Sequence, residues 1–137
     1  MDSGMFTFIG IVVGAVLQYL FSRHQESLRA HRAARTAAYT DYLRCVSQYA
    51  NPDQSTSSDG HDLAAKAADA KCRICLYGSS NAIEAFAQFE RLGAAMSTSA
   101  QQEAFAEMVA IMRSDSTSSK EVATKDLQII LLGRDSK

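Results

Sequence analysis

Cys72-Arg73-Ile74-Cys75 is the one short pattern in this 137-residue chain whose residue types and spacing could carry redox or metal chemistry. A redox CxxC opens a helix that follows a strand, because the helix N-terminus stabilises the thiolate. Here the pair falls in the last turns of a helical pattern with no strand signal before it. A structural zinc site needs about four ligands, and no second CxxC or CxxH occurs. Cys45 and His61 are the remaining soft donors nearby, but His61 is eleven residues from Cys72, about 16 Å along a helix. The expectation is therefore two buried apolar cysteines with no metal and no cofactor. His24 and His31 lie two helical turns apart, too far to share an ion, and read as surface histidines near a membrane interface.

Other chemistries find even less support. No phosphate-binding loop, HExxH, GxSxG or GxGxxG occurs, and the glycines after residue 22 are isolated at Gly60, Gly78, Gly93 and Gly133. Most acidic side chains have a base at helical spacing, so no carboxylate dyad is indicated. Lysine plus arginine (14) almost balances aspartate plus glutamate (15), which gives no basis for nucleic-acid binding. Three cysteines do not make a disulfide framework. No catalytic residue and no small-molecule substrate are evident, and the expectation is a non-enzyme.

The near-neutral balance hides a segregation of charge. Residues 3–22, SGMFTFIGIVVGAVLQYLFS, carry no charge and span about 30 Å as a helix, the thickness of a bilayer core. Ten are Leu, Ile, Val or Phe, each favouring insertion by roughly 0.3–0.6 kcal/mol, which outweighs the glycines and Gln18. A cleaved signal peptide would have a basic leader and a small-x-small site before Arg23, and neither is present. A buried soluble helix is the other alternative, and twenty residues without a charge weigh against it. After the span come Arg23, Arg29, Arg32 and Arg35, opposed by Glu26. Positive residues stay on the cytoplasmic side, so a single-pass inner-membrane topology is expected, with a short N-terminus outside and the C-terminal part cytoplasmic. The same arginines could contact anionic lipid head groups or serve only as the topology signal. Tyr19 and Phe21 suit an interfacial aromatic belt.

Within the span, Ser3, Thr7, Gly10, Gly14 and Gln18 fall in one arc of about 80°. Gly10-Ile-Val-Val-Gly14 is a small-xxx-small pair that lets two helices approach closely in lipid. Self-association or pairing with a partner membrane protein competes with the ordinary abundance of glycine in such helices.

Residues 23–38 then read as a basic helical stalk continuing the span, and residues 39–137 as a helical bundle. An apolar stripe runs through Tyr39, Tyr42, Leu43, Val46, Tyr49 and Ala50; residues 51–60 read as a loop. A helix over about 62–77 is apolar around most of its circumference, outside an arc of Asp62, Lys66, Asp69 and Arg73, and should lie between neighbours. Three more helices follow: about 81–96; one opened by a Ser99/Gln102 capping box and ending near Arg113; and one over about 120–132, opened by Ser118/Glu121 and stopped by Gly133. The fold class expected is all-α: an N-terminal transmembrane helix continuing into a cytoplasmic four- to five-helix bundle.

AAYTDYL, LYGSSNAIEAFAQF, MRSD and the closing DLQIILLG, together with the apolar N-terminal segment, resemble a loose class of small uncharacterised bacterial membrane-anchored helical proteins. The resemblance covers most of the chain, rests on helix ends and packing positions, and implies no catalytic residue. The function expected is a membrane-anchored interaction or scaffold module. The alternative is a membrane-perturbing effector of toxin or defence type, acting through clustering of its span.

Overall fold

The computed structural model describes residues 2–50 and 57–133. Five α-helices account for the regular structure: α1 (Asp2–Tyr49), α2 (Ser57–Tyr77), α3 (Ser80–Arg91), α4 (Ser99–Ser116) and α5 (Thr124–Leu132). No strand occurs among the described residues. The chain divides into two compact units, Met1–Ala33 and Ala34–Lys137, and α1 contributes to both.

The second unit holds the core. From α1, Ala38, Tyr39, Tyr42 and Cys45 are buried, as the 3.6-residue periodicity requires. The stripe fades a turn before the helix does, since Tyr49 and Ala50 are exposed. Ala38, Tyr39 and Tyr42 join Ile74 of α2, Phe86 and Phe89 of α3, and Phe105, Met108 and Met112 of α4. The Tyr42 ring meets Phe86 edge-on at 4.8 Å and Phe89 lies tilted on Phe105 at 5.3 Å, both favourable aromatic arrangements. α4 packs on α3 and on α5.

α2 departs most from expectation. Among its residues from Gly60 on, it buries only Leu63, Ala70 and Ile74, while Ala64, Ala65, Ala68, Cys72, Cys75 and Leu76 are exposed. The helix is therefore not enclosed by neighbours. Ion pairs on both shoulders of the buried strip explain this: Arg73 donates to Asp41 at 2.8 Å, and the Lys71 ammonium lies 2.6 Å from Glu90. With both shoulders turned toward partners, the opposite face must point outward. α2 also begins earlier than the expected loop allows, because residues 57–60 are helical; residues 51–56 lie outside the described residues.

The corners show which local signals prevailed. At the α2–α3 corner, the Gly78 N–H donates to the Ile74 carbonyl at 2.7 Å, and a Cβ there would stand 2.5 Å from that oxygen, so no other residue fits unchanged. α3 ends at Arg91 rather than near Met96, since Gly93 (φ 97°) and Ala94 (φ 50°) turn left-handed. The capping box of α4 is Thr98/Gln101, one residue before the Ser99/Gln102 pair. Gln101 is favoured because it serves the incoming loop as well: its amide nitrogen donates to the Leu92 carbonyl at 2.6 Å, and its oxygen accepts from Ser97 and Thr98. α4 runs to Ser116, past Arg113, where Thr117 closes it by donating to the Arg113 carbonyl. The Ser118/Glu121 box does not form. α5 starts only at Thr124, behind Ala123, which lends no side-chain cap, and stops at left-handed Gly133 as the sequence indicates.

Burial pushes the Tyr42 hydroxyl up to about 12, with the negative charge of Glu90 adding to the effect. Tyr39 is raised too, by burial and by its bond to Asp115. The fold thus favours the protonated phenol. Its contribution to stability is complete below the unfolded tyrosine pKa of about 10 and is lost as pH rises through 12. Circular dichroism followed from about pH 9 to about pH 12 should show alkaline unfolding. Tyr42→Phe should move its midpoint upward, and an unmoved midpoint would exclude this phenol as a cause.

Candidate membrane span and helix-pairing face

The first unit consists of α1 alone, and between Met5 and Phe21 its large apolar side chains are 47–72% exposed. Among the described residues this is the one helix long and apolar enough to cross a membrane. No part of the span is buried among the described residues.

Helical geometry places Ser3, Thr7, Gly10, Gly14 and Gln18 along one side of α1, and all are exposed. Thr7 donates its hydroxyl to the Ser3 carbonyl at 2.8 Å, which satisfies a polar group without help from a neighbouring helix. A Cβ added at Gly10 or Gly14 would meet nothing within 4 Å, so the shallow notch made by the two glycines is open.

Of the four arginines expected at the head-group level, Arg23, Arg29 and Arg32 are exposed, and Arg23 reaches the Tyr19 hydroxyl at 3.5 Å. Arg35 is engaged elsewhere. Its Nε donates to the Tyr77 carbonyl at 2.7 Å, capping the last turn of α2 with a cation where the helix dipole is negative. Arg35 is thereby committed to a contact within the fold.

Both members of the CxxC pair, expected to be buried, are exposed on α2, whereas Cys45 is buried. The expectation rested on the missing ligands and on the apolar character of cysteine, and the ion pairs on the shoulders of α2 leave that face outward.

One polar cluster was not legible beforehand. Asp115 Oδ2 accepts from the Tyr39 hydroxyl at 2.7 Å and from the Ser79 hydroxyl at 2.5 Å, while the Ser79 N–H donates to the Tyr39 oxygen at 3.2 Å. The Ser79 Oγ also accepts from the Ala82 N–H at 3.1 Å, so the hydroxyl is committed to capping α3. No histidine takes part in these bonds. The trio therefore works as a lock joining α1, the start of α3 and the end of α4.

A cleft of about 600 Å³ is bordered by Tyr42, Cys45, Val46, Lys71, Phe89 and Met96. Among the described residues that border it, the one cation is Lys71, which is paired with Glu90. Among the described residues no group of three or more His, Cys, Asp or Glu side chains could hold a metal ion.

These features define an all-helical protein with one candidate membrane-spanning helix. No family model matches the chain, and no curated protein or solved structure is significantly similar to it.

Proposed function

We propose that the chain is a membrane-anchored helical interaction module, whose span holds the second unit at the cytoplasmic surface. The observation that carries this reading is the exposure of every large apolar side chain between Met5 and Phe21. Ten Leu, Ile, Val and Phe side chains left in water forfeit roughly 1.5–3 kcal/mol each. Their total supports an apolar medium around this segment. The arginine excess after the span supports the orientation. Arg23, Arg29 and Arg32 add about 1 kcal/mol each against an anionic leaflet.

The occupant proposed for the Gly10–Gly14 face is another transmembrane helix, a second copy of this one or a partner's. Replacing both glycines by isoleucine fills the notch and should abolish crosslinked species in membranes while leaving the helical content unchanged. Crosslinking equal to the parent chain would remove this face from the contact. Induced expression should leave vesicles and cells sealed to a trapped dye; leakage would favour the membrane-perturbing effector instead.

A further inference from the structure

We infer that Cys72 and Cys75 form a two-thiolate chelate for a soft, closed-shell monovalent cation of the copper(I) class. Both thiols are exposed, one turn apart on the same side of α2, in an environment of Ala65, Ala68 and Leu76 that is itself exposed. The helix geometry discriminates among the reactions open to them. Residues three apart on a helix hold their Cβ atoms about 5–6 Å from each other. A disulfide requires a Cβ separation of about 3.5–4.5 Å, so closing one inside intact α2 would strain the backbone. A metal ion is an easier bridge. With two bonds of about 2.3 Å it joins sulfurs up to about 4.6 Å apart, within reach of side chains that rotate about χ1.

Ligand number selects the ion. Zinc takes four ligands in its closed sites, whereas no group of three or more ligating side chains exists among the described residues. Copper(I) prefers thiolates and is content with two of them. Binding replaces two S–H protons by two sulfur–metal bonds, with no electron transferred, and leaves the site with one net negative charge. Two cationic residues adjoin the pair in sequence, Lys71 and Arg73, held in place by Glu90 and by Asp41 and Asp69. Cys45, buried in the core, takes no part.

The test uses the full-length chain, reduced and held in detergent without oxygen, titrated with copper(I) against a chromophoric competitor. One ion per chain should bind. Cys72→Ser and Cys75→Ser should each lose at least tenfold in affinity, about as much as the double variant, because a chelate fails when either arm is removed. Cys45→Ala should bind as the parent does. Single variants that each retain half the bound copper would show two independent thiols and overturn the proposal. So would a double variant that binds like the parent, or an ion shared by two chains.

Discussion

A chain carrying Val13→Arg is expected to leave the membrane fraction. Val13 stands at the middle of the uncharged segment, where an arginine costs about 2.5–3.5 kcal/mol and the lost valine forfeits a few tenths more. The ten large aliphatic and phenylalanine side chains supply only about 3–6 kcal/mol of insertion free energy between them, before the glycines and Gln18 are subtracted. One guanidinium at that depth cancels most of the driving force. A shift of 3–4 kcal/mol is two to three orders of magnitude in partitioning, and fractionation after an alkaline wash would read it directly. Val13→Leu, with the same polarity class and volume close to the original, should stay in the membrane. An unchanged distribution for Val13→Arg would show that residues 3–22 are not what holds the chain there.

Phe89→Ala should bring the largest loss of stability in the second unit. The ring is 1% exposed, stacked at a tilt on Phe105 and placed between α3 and α4, the two helices whose packing organises the core. Truncation removes the transfer free energy of the ring and leaves a cavity, together about 3–5 kcal/mol. For a unit of about a hundred residues this lowers Tm by roughly 15 °C or more. Leu76→Ala provides the contrast. That side chain is 69% exposed, so its removal should change stability by less than about 0.5 kcal/mol. Equal losses for the two variants would mean that the buried and exposed faces have been assigned the wrong way round.

Features that depend on short-range patterns were legible in the sequence. The charge-free stretch, the stop at Gly133 and the apolar spacing of Tyr39 and Tyr42 each arise from short-range pattern along one helix. The misjudged features involve choices between near-equivalent local signals or contacts across the fold. Thr98/Gln101 and Ser99/Gln102 satisfy the same capping rule, and what decided between them was the carbonyl of Leu92, nine residues back. Cys72 and Cys75 look like core residues by type. Their exposure follows from Arg73 reaching Asp41, thirty-two positions earlier, which no periodicity within α2 reveals. Arg35 resembles its three neighbours until the end of α2 is brought beside it. For the glycine face, sequence spacing and helix geometry carry the same information, since an added Cβ at Gly10 or Gly14 meets nothing within 4 Å among the described residues.

The Tyr39–Asp115 bond joins residues 76 positions apart. At a synthesis rate of roughly 5–20 residues per second, the Tyr39 hydroxyl waits about 4–15 seconds after its own incorporation before its acceptor exists. The stripe of Tyr39, Tyr42 and Cys45 follows the basic stretch that separates it from the segment proposed to enter the membrane, and it is synthesised before the helices that bury it. Phe86, Phe89, Phe105 and Met108 must all be made before this surface is covered. Burial of the α1 stripe therefore depends on contacts of high sequence separation, which are slow to form because the loop must close before they reward it.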